Sequence, residues 1–245
     1  MNLLIKSVKI IDPNSKHHNQ ICDVRIKDGK FDMIKKKIKS SSKSSEIEYT
    51  APNLHLSTGW FDMHVNFGEP GYEQQETINT GCTAALKGGY TGVMVMPNNK
   101  PCIDNKGMIS FILNKTKDRI IDVIPAGNIT KGAKGNELVE MHDMKKAGCK
   151  AFTDDKKSIN RNQVMKIAML YSKDSNSLIM NFPNEESIAN EGFIHEGVVS
   201  TKLGLKGIPS LAEEIMVDRD INLCKYTNSR LHLSYISTKD SMQKI

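Results

Sequence analysis

The sequence predicts an α/β fold in which six parallel strands alternate with helices, preceded by a small all-β segment. Three observations carry that reading. Short apolar strand candidates recur at residues 60–65, 92–96, 122–125, 150–153, 178–180 and 231–236. The stretches between them place apolar residues three and four apart, as in Met108, Ile109, Ile112 and Leu113, or Val164, Ile167, Ala168 and Tyr171. That spacing gives a helix one apolar stripe to bury. Strand followed by helix, repeated, gives a parallel sheet with helices packed outside.

The elements follow in order. Leu3-Leu4-Ile5, Val8-Lys9-Ile10-Ile11, Val24-Arg25-Ile26 and Phe31-Asp32-Met33-Ile34 are short runs separated by the turn signals Asp12-Pro13-Asn14 and Lys27-Asp28-Gly29-Lys30. They predict a small antiparallel sheet, read as a β-sandwich subdomain over residues 1–55. Residues 56–245 then supply the six strand–helix units. A complete eight-unit barrel takes about 250 residues, so this segment is two units short of a (β/α)8 TIM barrel. A barrel incomplete at its C-terminus, a split gene product and an open α/β sheet all fit the pattern; the motifs below favour the interrupted barrel.

Composition narrows the function. The chain has 245 residues, 34 Lys+Arg against 28 Asp+Glu, and 38% apolar residues, a balance suited to a globular core. No apolar run reaches the roughly 18 residues of a membrane span, and the opening Leu3-Leu4-Ile5 is too short for a signal peptide. A cytoplasmic location is therefore expected, with no membrane partner. Cys22, Cys82, Cys102, Cys149 and Cys224 lie far apart, which suggests neither disulfides nor a thiolate zinc site. The net charge of +6 comes from dispersed lysines. The one cluster, Lys35-Lys36-Lys37-Ile38-Lys39 followed by serines at 40–45, reads as a solvated loop, and 6% aromatics gives no platform for nucleic acid.

The densest chemical constellation is Asp62-Met63-His64-Val65-Asn66-Phe67-Gly68-Glu69-Pro70-Gly71. Residues two apart on a strand share a face, so Asp62, His64 and Asn66 converge toward the strand's C-terminal mouth, where barrel enzymes keep their sites. Read as D-x-H-x-H-x-R-E-P-G with two substitutions, the segment resembles the dihydroorotases of the amidohydrolase superfamily. Further motifs resemble that family in order and spacing: Glu76-Thr77-Ile78, Gly88-Gly89-Tyr90-Thr91, Met96-Pro97-Asn98, Ile129-Thr130-Lys131-Gly132, Ala151-Phe152-Thr153-Asp154-Asp155, Asn190-Glu191-Gly192, Ala212-Glu213-Glu214 and Ile236-Ser237-Thr238.

The resemblance implies a metal-dependent amidohydrolase barrel of pyrimidine biosynthesis that interconverts dihydroorotate and carbamoyl aspartate, with zinc activating a water. It implies metal ligands at His64 and Asp155. The other three ligand positions fall on Asn66, Phe182 and Tyr235, and the substrate-carboxylate arginine falls on Gly68, while Asn98 keeps a substrate-binding position. The family's proton-shuttling aspartate lies beyond Ile245. Asn66 offers a neutral oxygen and Phe182 no ligand atom at all, so zinc binding is placed in doubt. His232 stands three residues before Tyr235, which on a strand turns it to the opposite face.

Two functional expectations follow. One is a dihydroorotase-like protein with a degenerate metal site, a pseudoenzyme with aspartate transcarbamoylase or a second copy of itself as partner. The other is an active dihydroorotase or related cyclic-amide hydrolase working with a reduced metal site. Other signals have plainer readings: Lys131-Gly132-Ala133-Lys134-Gly135 lacks P-loop spacing, His17-His18 and His195 suit surface positions, and Glu213-Glu214 diverge by about 100° on a helix.

Overall fold

The computed structural model describes residues 2–40 and 46–245. The chain divides into two units at Gly59/Trp60. In the N-terminal unit, β1 (Asn2–Ile11) pairs antiparallel with β2 (Ile21–Lys27), which pairs antiparallel with β3 (Lys30–Lys35). β4 (Glu46–Tyr49) and β5 (His55–Ser57) both join β1 in parallel. Among the described residues this unit therefore holds one mixed sheet, where a wholly antiparallel sheet and a sandwich were expected. The reason lies in its connections: hairpins join β1 to β2 and β2 to β3, whereas β4 and β5 return along β1 in its own direction. Leu4 and Val24 are fully buried. Asp23, also buried, accepts from Ser7 N at 2.9 Å and Ile38 N at 2.8 Å and pairs with Lys6 at 2.5 Å. Ile38 is thus tied inward within the lysine cluster; residues 41–45 of the serine run lie outside the described residues.

The second unit is built on six parallel strands. β6 (Trp60–Val65) pairs with β7 (Tyr90–Val95) and β7 with β8 (Asp122–Pro125). β9 (Ala151–Phe152) pairs with β10 (Leu178–Asn181), and β10 with β13 (Arg230–Leu233). A bridge between Gly127 and Phe152 links the two sets. Helices α1 (Ile78–Lys87), α2 (Lys106–Thr116), α3 (Met141–Lys146), α4 (Asn162–Asp174) and α7 (Leu211–Thr227) fill the crossovers. An excursion of α5 (Glu186–Ala189), β11 (Ile194–His195), α6 (Val198–Leu203) and β12 (Gly207–Ile208) precedes α7, and α8 (Lys239–Lys244) follows β13.

The period-two alternation sorts side chains into two layers. Val93, Val95, Val123 and Ile179 pack with Ile109, Ile112, Met165 and Ala168 of the helices. Met94, Met96, Ala126, Ala151 and Met180 form a second cluster on the opposite face. Ile109 and Ile112 are fully buried, and each such side chain contributes about 1.5–3 kcal/mol by leaving water. The strand C-termini all point to one rim, where His64 near the end of β6 and the loops carrying Asn98, Asp155, Phe182 and Tyr235 come together.

Candidate functional site

β6 delivers His64, whose backbone N–H donates to Asp62 Oδ1 at 2.9 Å. The loop beyond is pinned at several points. Phe67 is 3% exposed and packs against Gly81 of α1, where a Cβ would collide with its ring. Buried Glu69 accepts from Ile78 N at 3.0 Å at the start of α1 and pairs with Lys115; an acid there also suits the helix dipole. Asn99 Nδ2 donates to Phe67 O at 3.1 Å and Pro70 O at 3.3 Å. Gly68 sits inside this closed loop. Tyr72 N donates to Gly68 O at 2.6 Å, and a Cβ on Gly68 would meet the Tyr72 carbonyl oxygen inside contact distance and that of Glu76 at 2.9 Å. The position has no side chain, and the backbone has closed over the space one would need.

β9 leads into Thr153-Asp154-Asp155, and the two carboxylates part company there. Asp154 Oδ1 accepts from Ile129 N at 2.9 Å and Thr130 N at 3.0 Å, and Oδ2 from the Thr130 hydroxyl. It ties down the loop after β8. Burial raises its pKa, and the donors of Thr130 and Ile129 oppose that rise. Asp155 takes a left-handed conformation, φ 56°, with its N–H donating to Thr153 Oγ1 at 3.0 Å. An aspartate tolerates that region better than most residues. The turn swings its carboxylate toward β6, where Oδ1 lies 2.9 Å from His64 Nε2 and Oδ2 accepts from Asn98 Nδ2 at 3.1 Å. Asn98 Nδ2 also reaches Asn66 Oδ1 at 2.7 Å.

The remaining two positions arrive from β10 and β13. Asn181, buried at the end of β10, donates to Asp220 Oδ2 at 2.6 Å, and Asp220 is gripped by Arg219 at 2.6 and 2.9 Å. Phe182 follows directly, its ring 5.6 Å from that of Tyr235 and at 87° to it. β13 stops at Leu233, Ser234 N donates to Asn181 O at 2.9 Å, and Tyr235 turns left-handed at φ 59°. That conformation is costly for a bulky side chain, of order 1 kcal/mol or more. It brings the Tyr235 hydroxyl to 2.5 Å from His64 Nε2. Glu213 of α7 secures the turn by accepting from Ser237 N at 2.9 Å, Ser237 Oγ at 2.7 Å, Thr238 N at 3.0 Å and Thr238 Oγ1 at 2.8 Å.

The early end of β13 corrects the expectation for His232. Alternation does not relate it to Tyr235, because the chain has left the strand between them. His232 pairs in register with Met180, a member of the inner cluster, and therefore shares that cluster's face. Burial and the charge of His64 both lower its pKa, which favours a neutral ring. His195 is exposed, as expected, and stands at the edge of a cleft of about 190 Å³ that Phe182 and Tyr235 also line. His18 Nδ1 accepts from Asp12 N at 3.1 Å in its turn.

His64 Nε2 thus faces a carboxylate and a phenol. A ring protonated on Nδ1 accepts from the Tyr235 hydroxyl; one protonated on Nε2 donates to Asp155. Desolvation, then the neighbouring Asp155 carboxylate, push the Tyr235 phenol up to about 12, so it keeps its proton at neutral pH. The donor set does not fit the zinc centre that the resemblance implies. It offers one imidazole and one carboxylate, with neutral oxygens from Asn66 and Tyr235 and a hydrocarbon ring at Phe182, and catalytic zinc takes three protein ligands. Among the described residues no group of three or more His, Cys, Asp or Glu is placed to hold a metal ion.

Beside Asp155 and Asn98, a cavity of about 460 Å³ opens between the loops after β7, β8 and β9. Lys100, Lys156 and Lys157 line it, and so do Asn99 and Asn128. None of these was singled out from the sequence, although Lys156-Lys157 directly after the paired aspartates was a usable signal.

Comparison with known proteins agrees with the fold. A sequence model of the family described as dihydro-orotase-like matches residues 55–241. The dihydroorotase of Geobacter sulfurreducens is 39% identical over 246 residues, covering 100% of this chain and 57% of that protein. That of Pelotomaculum thermopropionicum is 41% identical over 245 residues, with 100% and 56% covered. The chain thus spans little more than half the length of these relatives. Among solved structures, the L-hydantoinase (dihydropyrimidinase) of Arthrobacter aurescens superposes with a TM-score of 0.77 at 17% identity, over 98% of this chain and 54% of that one. A dihydroorotase structure superposes with a TM-score of 0.53 at 12% identity, over 95% and 64%. At these identities the structures speak to the fold, that of part of an amidohydrolase barrel.

Proposed function

The chain belongs to the dihydroorotase-like family, and from that premise we propose that it is a pyrimidine-pathway protein whose dihydroorotase site no longer holds zinc and turns over dihydroorotate poorly or not at all. The observation that carries this is at His64. Its Nε2, the atom a metal would use, is taken up by the Tyr235 hydroxyl at 2.5 Å and Asp155 at 2.9 Å. Phe182 adds an apolar wall where a third ligand would stand. The closed loop at Gly68 supports the same reading from the substrate side, since the bidentate grip of an arginine on a carboxylate has no room to form there.

In this reading the protein acts through binding, with aspartate transcarbamoylase or a second copy of the chain as partner. No helix among the described residues is long and apolar enough to cross a membrane, which suits the cytoplasmic location proposed for it. A second reading, a cyclic-amide hydrolase with a reduced metal site, draws on the 2.9 Å approach of His64 and Asp155, the two positions that keep ligand chemistry. Dihydroorotate hydrolysis by the purified chain, with and without added zinc, separates them. The first reading expects no zinc-dependent turnover; turnover that needs zinc and disappears in His64→Ala supports the second.

A further inference from the structure

We propose that residues 35–39, the lysine segment that follows β3, are a docking surface for an extended, acidic stretch of a partner polypeptide. This goes beyond the reading above and does not depend on the state of the His64 site.

The segment is held in place where a solvated loop was expected. Ile38 is 5% exposed, its N–H donates to Asp23 Oδ2 at 2.8 Å, and its carbonyl accepts from Lys6 Nζ at 2.8 Å. Lys39 O accepts from Arg25 Nη2 at 2.7 Å. The backbone is thus fixed at two consecutive residues, across side chains of β1 and β2. Lys35, Lys36, Lys37 and Lys39 are all exposed, and among the described residues none of their ammonium groups has a hydrogen-bond acceptor or an ion-pair partner.

The neighbouring acids are committed elsewhere. Asp23 is spent on Lys6, Ser7 N and Ile38 N. Glu46 pairs with Arg25 at 2.7 and 3.2 Å, Glu48 accepts from the Ser40 hydroxyl, and Asp32 acts on Arg25. Residues 1–59 hold 11 Lys and Arg against 6 Asp and Glu, so this unit carries +5 of the chain's net +6. Four cations within five residues concentrate anions at one place, and a backbone already fixed lowers the ordering cost of binding one.

Three features select the kind of anion. The exposed aromatics Phe31 and Tyr49 pair in register with Ile26 and Ile5, on the face that packs with Val8 and Val24, whereas the segment lies on the face of Asp23 and Arg25. Bases would find no ring to stack on beside the lysines. Ile38, the one apolar residue of the segment, is turned inward, so nothing is presented to a lipid interface. Lys37 and Lys39 flank that inward residue, and positions two apart in an extended chain lie roughly 6.6 Å from each other. An extended polypeptide with acids at alternate positions has the same repeat, and lysine point charges meet carboxylates without the fork geometry that arginine brings to phosphate.

Fluorescence anisotropy on the full chain tests this with three labelled probes: a peptide of alternating Glu and Thr, a peptide of the same composition with its Glu in one block, and a single-stranded RNA of the same net charge. The alternating peptide is expected to bind at least fivefold more tightly than either of the others and to weaken as salt is raised. Lys37→Gln/Lys39→Gln, exposed changes whose folding is checked by thermal melting, is expected to weaken it at least tenfold. Lys87→Gln/Lys106→Gln, which removes the same charge from α1 and α2, is expected to change it less than twofold. Tighter binding of the RNA would assign the surface to nucleic acid and overturn the proposal. Equal affinity for the two peptides, equal losses in the two double variants, or no binding of the alternating peptide would overturn it as well.

Discussion

Asp154 and Asp155 are neighbours in sequence and both are buried, yet they belong to different parts of the protein's physics. Asp154 accepts from two backbone N–H groups and a hydroxyl and holds a loop in place. Asp155, one residue on and left-handed, turns its carboxylate into the site and shares His64 Nε2 with Tyr235. The same division runs around the rim. Asp220 and Glu213 resemble Asp154, each surrounded by donors that fix a strand end. The scaffold that presents the site therefore spends Asp154, Glu213 and Asp220 on fixing loops and strand ends, and the departures from metal chemistry lie in the side chains it presents.

Substitutions should separate the two classes. The largest effect is expected at Asp154→Ala, which strands the Ile129 and Thr130 donors and should cost about 3 kcal/mol in urea unfolding. Asp155→Asn, which keeps a residue tolerant of the left-handed region, should cost less than about 1 kcal/mol. Similar losses at the two positions would erase the distinction. Next comes Gly68→Arg, the change that restores the family's side chain. Forcing a Cβ against the Tyr72 and Glu76 carbonyls should destabilise the fold by about 2 kcal/mol, read as a lower Tm. A neutral effect would show that the loop opens readily.

Glu213→Gln should cost about 1 kcal/mol at pH 7. Burial raises the pKa of Glu213, but the donors of Ser237 and Thr238 outweigh burial and bring it below the ordinary 4.5. The unfolded chain then takes up its proton first as pH falls, so the stabilisation is full above pH 4.5 and is lost through the lower folded value. The variant should show a flatter acid limb than the native chain. The smallest effect belongs to Tyr235. Its phenol is raised from 10.0 to about 12, so the unfolded chain loses that proton first and stability should fall as pH rises from 10 toward 12. Tyr235→Phe should remove that part of the alkaline limb, with little change at pH 7.

Much of the fold was legible in the sequence because apolar alternation and helical stripes are local signals. The strand at Trp60–Val65 coincides with its expected range, and that at Leu178–Asn181 runs one residue further. β13 ended early because its stop is set by a distant residue: Glu213 captures Ser237 and Thr238 and curls the chain away. The mixed N-terminal sheet escaped for a related reason, since the direction of β4 and β5 depends on long connections with no turn code. The site was legible through the resemblance more than through its residues. Nothing in Asp154-Asp155 says which carboxylate turns inward, because the choice rests on a left-handed backbone at the second. The closure at Gly68 needs Tyr72 and Glu76 brought against it, a contact no spacing records. Lys100, Lys156 and Lys157 looked like surface charge, and only the cavity gathers them.

The central claim is that His64 Nε2 is held by protein groups and not free for a metal. Nitrogen-15 spectra of the imidazole, assigned with His64→Gln and recorded before and after one equivalent of zinc, address that atom directly. The account predicts that the His64 Nε2 resonance stays where it was; a shift of that resonance to the metal-bound range would contradict it.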